Sequence, residues 1–178
     1  MTEIRRIGAD DIPALTEFIH ALPEGDRTFF KEEVSDETVV RWCNEPGGSR
    51  RWVLEDDGGV IKGVLAIIPG SDWSAHVGEL RLVVGAPFRR QGVGRALARH
   101  GLTEALRTGL GKIVVEVVAE RAGDITMFTK MGFRPEALLE GHIRDGDGTL
   151  RDLVVLTHQA DDAAGVLSTF GVDEALAQ

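Results

Sequence analysis

The sequence predicts an α/β (α+β) fold: a mixed central sheet of about seven strands with helices on its faces, in one domain over residues 1–158. Three observations predict it. Apolar residues switch between alternating and helical spacing along the chain, giving the order β-α-α-β-β-β-α-β-α-β-β. Residues 112–118 are apolar almost throughout, as a central strand covered on both faces must be. The length of 178 residues suits one ordinary domain, which buries roughly 70% of its unfolded surface without metal or disulfide support.

The elements follow in order. Residues 4–7 form a short strand. Asp10 and Asp11 open a helix that accepts Pro13 in its first turn and runs through Leu15, Phe18 and Ile19 to about Leu22. Residues 23–30 are loop, carrying Asp26 and Arg27. Ser35 or Asp36 caps a second helix over Val39, Val40 and Trp42, which Pro46-Gly47-Gly48 stops. Residues 51–55 and 60–68 form a hairpin around Asp56-Asp57-Gly58-Gly59. Residues 76–84 continue that run, with Leu80, Leu82 and Val84 alternating against Glu79, Arg81 and Val83. Residues 92–109 are a long helix, with Val93, Leu97, Leu102, Ala105 and Leu106 at helical spacing and a closing glycine. A short helix over 125–131 ends at Gly132. Strands over 133–143 and 150–158 are joined by the tight turn Arg144-Asp145-Gly146-Asp147-Gly148, and residues 159–178 form a polar tail with one weak helix.

Composition narrows the function classes. A net charge of −9 argues against nucleic acid held by a broad basic face, and it allows a cationic substrate. The single cysteine, Cys43, permits no disulfide framework or thiolate metal cluster and fits a reducing, cytoplasmic setting. Beside Trp42 on an amphipathic helix, it reads as packing. Apolar runs such as 64–68 and 153–156 are too short to cross a bilayer, and residues 1–10 carry no apolar signal core. His20, His76, His100 and His158 show no ligand spacing, and the Asp145–Gly148 turn has Leu156 where a calcium loop needs an acid, so no metal is expected.

The most informative segment is Leu82-Val83-Val84-Gly85-Ala86-Pro87-Phe88-Arg89-Arg90-Gln91-Gly92-Val93-Gly94-Arg95. A strand enters a basic turn, and a glycine pair then opens a helix. Glycines let a ligand approach the backbone, and the free N–H groups of the first helical turn point at whatever sits there. With Arg89, Arg90 and Arg95 adding charge-assisted partners, a diphosphate is the natural ligand. The same spacing also fits a plain strand-to-helix turn with solvated arginines. A P-loop is excluded, because Arg95 follows Gly94 where lysine is required. The dinucleotide fingerprint is excluded, because Leu97 holds the place of its third glycine.

Arg89-Arg90-Gln91-Gly92-Val93-Gly94 resembles the R/Q-x-x-G-x-G/A signature of the GNAT superfamily of N-acetyltransferases. Leu82-Val83-Val84, Pro87-Phe88 and Lys130-Met131-Gly132-Phe133 sit where that family places its strand and its terminal G-F. The resemblance covers most of residues 3–158 and is strongest over 79–133. It implies a mostly antiparallel sheet whose fourth and fifth strands splay apart, the fourth usually carrying a bulge. It implies acetyl transfer from acetyl-CoA directly to a primary amine, on a small molecule or a protein, and homodimers are common in the family. Backbone N–H groups of Gln91, Gly92, Val93, Gly94 and Arg95 would bind the CoA pyrophosphate, and Leu82, Val83 and Val84 would pair with the pantetheine arm.

The resemblance also nominates a base. An amine of pKa near 10.4 is roughly 0.04% neutral at pH 7, so its deprotonation costs roughly 4.6 kcal/mol. Glu116 holds the place of the family's glutamate in an L-E-V pattern, and Glu79 on the other splayed strand is its rival. Phe128, which the resemblance places against the cofactor, stands where many members have a tyrosine that protonates the leaving thiolate. The chain contains no tyrosine at all. The family's frequent Asn and Ala nearby are Arg121 and Asp124. Water, His142 or another group then protonates the thiolate, or the chain binds CoA without efficient transfer. The acceptor wall falls on Asp26, Arg27, Phe29, Phe30, Glu32, Glu33 and Trp42. Trp73 either lines the pocket or covers the sheet edge, and His142 either shapes the pocket or is a surface residue. A CoA-binding module without catalysis and a nucleotide-binding protein using the same loop are the competing readings.

Overall fold

Seven strands make one sheet in the order β1-β2-β3-β4-β5-β7-β6. They are β1 (Thr2–Arg6), β2 (Arg50–Asp56), β3 (Ile61–Pro69), β4 (Val77–Val84), β5 (Lys112–Val118), β6 (Arg134–Arg144) and β7 (Leu150–Gln159). The structure, a computed structural model, describes residues 2–27, 30–44 and 47–160. Every neighbouring pair of strands is antiparallel except β4 and β5.

Period-two alternation divides the central strands between two cores. Trp52, Leu54, Leu65, Ile67 and Leu80 pack on one face with Leu97, Ala98 and Leu102 of α4 (Val93–Arg107). Val53, Val64 and Val83 meet α1 (Ile12–His20) and α3 (Asp36–Asn44) on the other, through Leu15, Phe18, Ile19, Val39 and Trp42. Each such side chain contributes about 1.5–3 kcal/mol when buried, so both helical layers are needed to cover the sheet. Ser35 caps α3 as expected, its Oγ accepting the Thr38 N–H at 3.3 Å. Arg5 fastens β1 to its neighbours, reaching Asp11 at 2.6 Å and Glu55 at 2.7 Å.

The expected splay is present. β4 and β5 pair only at Val77↔Lys112, Gly78↔Ile113 and Glu79↔Val114, whereas β5 stays with β7 from Lys112↔Gln159 to Val118↔Leu153. The expected bulge in β4 is absent: its register with β3 runs unbroken from Gly63↔Val84 to Pro69↔Gly78. A bulge there would turn Leu80, Leu82 or Val84 away from α4, and all three pack on that side.

Other differences are local. The stretch 23–30 contains one helical turn, α2 (Glu24–Arg27). Its first bond runs from the Asp26 N–H to the Pro23 carbonyl at 2.9 Å, and Pro23 presets the backbone for a turn. A second helix, α5 (Ala122–Thr129), starts before Ile125, because the Arg121 carbonyl already accepts the N–H groups of Asp124 and Ile125. Gly123 had masked that start. Pro46, Phe29 and the weak helix of the tail lie outside the described residues; Ala160 still bonds to the Gly111 carbonyl at 2.9 Å.

α4 lies close on the sheet because a glycine stands on each side of the contact, Gly101 on α4 and Gly63 on β3. A Cβ on Gly101 would stand 2.6 Å from Leu80 Cδ1. One on Gly63 would stand 2.8 Å from Leu97 Cδ1 and 3.0 Å from the Val83 carbonyl oxygen. Gly63→Ala is therefore expected to cost about 1–3 kcal/mol, lowering Tm by about 2–4 °C for each kcal/mol. An unchanged Tm in thermal denaturation would contradict this close approach.

Candidate active site

The loop between β4 and α4 is shaped by its backbone. After the single turn Ala86–Phe88, Arg90 and Gly92 both adopt left-handed conformations, with φ of 60° and 86°. Gly92 is the N-cap of α4, and a Cβ built on it meets nothing within 4 Å, so the space before the helix is open. The first bond of the helical ladder joins the Ala96 N–H to the Gly92 carbonyl at 2.9 Å. The N–H groups of Val93, Gly94 and Arg95 precede that ladder and point out of the positive end of the helix, the geometry that favours an anion. Val93 buries its side chain in the core and leaves only its backbone to a ligand. Gln91 Nε2 donates to the Pro87 carbonyl at 2.9 Å and braces the turn. Arg90 and Arg95 are exposed beside it.

Arg89 is committed elsewhere. It donates to the Val84 carbonyl at 3.2 Å and is paired with Asp26, which also holds Arg121 at 3.0 Å. Asp26 is 5% exposed, so one buried carboxylate ties α2 to both the loop and the start of α5.

Beyond Glu79 the edge of β4 has no strand partner among the described residues, and its polar groups there face the opening between β4 and β5. Leu82, Val83 and Val84 line a cavity of about 890 Å³, which Arg89, Arg90, Gly92, Gly94 and Arg95 join at the start of α4. Phe128 lines the same cavity, with its ring 5.2 Å from Phe133 in an edge-to-face contact. His142 also lines it. A volume of this size holds an extended small-molecule ligand.

Glu79 and Glu116 lie on one face of the parting strands, and Lys31 joins them. Its Nζ is 2.5 Å from Glu79 Oε1 and forms a second ion pair with Glu116 Oε2. Arg81 completes the cluster, donating to Glu79 Oε2 at 2.7 Å and to the Phe30 carbonyl at 2.8 Å. Burial pushes the Glu79 carboxyl up, but hydrogen bonds from Arg81 and Lys31 outweigh it and hold the group below the usual carboxylate range. Sequence reasoning passed over Lys31. Its one signal is a cation, among four lysines in the chain, set between Phe30 and the acids Glu32 and Glu33.

Of the described residues expected in the acceptor wall, only Asp26 lines the cavity. Phe30 and Trp42 belong to the core, 8% and 3% exposed. The Trp42 Nε1–H donates to Glu32 at 3.2 Å, and the Arg51 guanidinium lies 4.7 Å from the Trp42 ring centre. Arg27 closes the end of α1 instead, donating to the His20 carbonyl at 2.9 Å, while Glu33 is exposed. Trp73 is 94% exposed and away from the cavity. The Asp145–Gly148 segment is the hairpin turn expected, with Asp145 paired to Arg151. Among the described residues no group of three or more His, Cys, Asp or Glu side chains is placed to hold a metal ion, and no helix is long and apolar enough to cross a membrane.

The loop before α4, the parted strands and the cavity between them form one continuous site. Residues 17–133 match the family model described as Acetyltransferase (GNAT) family, and the chain belongs to that family. Among curated relatives it is similar to N-acetyltransferase 8F1 of Mus musculus, 33% identical over 90 residues, covering 49% of this chain and 40% of that protein. It is also 30% identical over 67 residues to the ribosomal protein bS18-alanine N-acetyltransferase of Escherichia coli K12, covering 38% of this chain and 45% of that one. Each match spans less than half of the curated relative's length. Among solved structures, yncA from Salmonella typhimurium, determined with its cofactor acetyl-CoA, superposes with a TM-score of 0.75 at 22% identity, covering 90% of this chain and 95% of that one.

The lowered pKa of Glu79 has a measurable consequence. A carboxylate whose folded pKa lies below its unfolded value stabilises the fold above the unfolded pKa, about 4.3, and loses that contribution as pH falls through the folded value. Glu79→Gln is therefore expected to lower Tm at about pH 6, with the gap to wild type closing toward about pH 3. A gap independent of pH would contradict the pairing.

Proposed function

We propose that this protein transfers an acetyl group from acetyl-CoA directly to a primary amine, with Glu116 as the base. The observation that carries the reading is one cavity bounded by an anion-binding helix start, an unpaired strand edge and two carboxylates. The residues present fit the nucleotide: the cradle before Gly92 is open, and unladdered N–H groups face it. Acetyl-CoA supplies the activated acyl group.

In this reading the backbone N–H groups of Gln91 to Arg95 hold the diphosphate, and Arg90 and Arg95 add charge-assisted bonds. The free edge of Leu82, Val83 and Val84 pairs with the pantetheine amides. Glu116 takes the proton that the acceptor ammonium must lose, worth roughly 4.6 kcal/mol for a lysine-like amine. Glu79, held below the usual carboxylate range by Arg81 and Lys31, stays ionised and orients the cation. Phe128 donates no proton. A CoA thiol of pKa roughly 8.5 leaves tolerably as thiolate, so water protonates it. The acceptor is an amine of unassigned carrier; similar proteins are named for amines as different as a ribosomal-protein alanine and spermidine or spermine.

Thermal unfolding with acetyl-CoA, CoA and ATP tests the donor. At about 100 times Kd, binding adds roughly 2.7 kcal/mol and raises Tm by roughly 5–11 °C. Both CoA species should produce the shift, ATP should not, and Gly92→Asp should abolish it by placing a carboxylate in the diphosphate cradle. Thiol release with a panel of primary amines tests transfer. Glu116→Gln should slow it about a hundredfold or more while keeping the CoA shift. Absence of a CoA shift refutes the reading; a shift without thiol release from any amine favours a CoA-binding module.

A further inference from the structure

The ammonium of Lys31 occupies the place that an acceptor would need. Its Nζ lies between Glu79 and Glu116, the carboxylates on the facing strands where β4 and β5 part, and its side chain lines the cavity that takes the acyl donor. The approach is built. Lys31 has a left-handed backbone with φ of 57°, uncommon for a residue carrying a Cβ. Arg81 anchors the same stretch through the Phe30 carbonyl at 2.8 Å. The side chain is 33% exposed, and Glu79 and Glu116 are 21% and 25% exposed, so the contact sits at the solvent-reached mouth of the cavity. The other lysines are placed differently. Lys62 pairs with Asp56 at 3.4 Å and Lys112 with Glu136 at 2.8 Å, and neither they nor Lys130 line the cavity.

We propose that Lys31 is itself an acetyl acceptor of this site, so that the protein acetylates its own Lys31 from acetyl-CoA within one chain. The inference rests on the acetyl-CoA reading above. In the reaction the Lys31 ammonium gives one proton to Glu116, and its nitrogen attacks the thioester carbonyl carbon. The C–N bond forms as the C–S bond breaks, and the electron pair leaves on sulfur. The second proton lost by nitrogen passes through water to the thiolate, giving CoA and an N-acetylated Lys31. Holding the amine beside its base replaces a bimolecular encounter with an intramolecular one. The product carries no charge to bridge Glu79 and Glu116.

The experiment uses the full chain incubated with acetyl-CoA at neutral pH. Tryptic peptides are quantified by mass spectrometry over time, with Lys62, Lys112 and Lys130 as internal measures of uncatalysed acetylation. Lys31 is expected to be acetylated about a hundredfold faster than those three, the low end of what a positioned base contributes. Its rate constant should not change when the protein is diluted about tenfold, a change that slows any reaction between two chains in proportion. Glu116→Gln should bring Lys31 down to the rate of the other lysines, and Lys31→Arg should leave only the slow acetylation of those three while the protein still responds to acetyl-CoA in thermal unfolding. If acetyl-CoA raises the unfolding temperature but Lys31 stays unmodified or only keeps pace with the other lysines, self-acetylation is overturned and the proposed function stands. A rate that scales with protein concentration overturns the within-chain step. If acetyl-CoA produces no unfolding shift, the proposed function fails and self-acetylation fails with it.

Discussion

β4 and β5 are bonded over only three residue pairs, and each is then held by a different half of the sheet. β4 keeps its register with β3 to Val84, pinned by leucines seated on α4, while β5 follows β7 to Val118. Neighbouring strands twist relative to one another, so two strands tied to opposite halves diverge where nothing bridges them. The divergence leaves a row of backbone N–H and C=O groups on β4 without a strand partner, and such groups need a ligand or water. The same strand ends at the glycine loop that opens α4. One geometric choice thus places a hydrogen-bonding edge and a helix N-terminus in line on one cavity.

Charge placement follows from that geometry. The chain carries a net charge of −9, yet seven of its 20 Lys and Arg residues line the cavity, against five of its 29 acids. Asp26 binds Arg89 and Arg121 together and thereby fixes α2 against the loop, while Arg90 and Arg95 remain exposed at the helix start. Glu79 and Glu116 would repel each other across the parting strands. Lys31 lies between them and closes the cluster, and Arg81 extends it to the Phe30 backbone. Phe128 belongs to the apolar side of the same cavity, where its ring packs on Phe133 rather than offering a proton.

Most of the architecture was legible because periodicity reports it directly. Alternation in 76–84, the unbroken apolar run of 112–118 and the helical spacing after Gly92 each match an observed element. The residues alone did not reveal the splay; it came with the family resemblance, and the family's usual bulge did not come with it, because Leu80, Leu82 and Val84 all pack on the α4 side. Asp26 and Lys31 find their partners 63 and 85 residues away, a separation that leaves no local pattern. The error over Trp42 has a different origin. Acid beside aromatic resembles a cation pocket, but the helical spacing of Val39 and Trp42 turns both into the core and leaves Glu32 to accept the indole N–H. Gly92 was legible as the start of α4 because its chemistry is local, and the structure gives it a left-handed backbone there.

If the loop and the free strand edge bind one ligand together, amide NMR of the labelled protein titrated with acetyl-CoA should show it. The amides of Leu82, Val83 and Val84 and those of Gln91 to Arg95 are expected to shift along a single saturation curve. Perturbation of the loop alone, with the β4 edge unmoved, would contradict it.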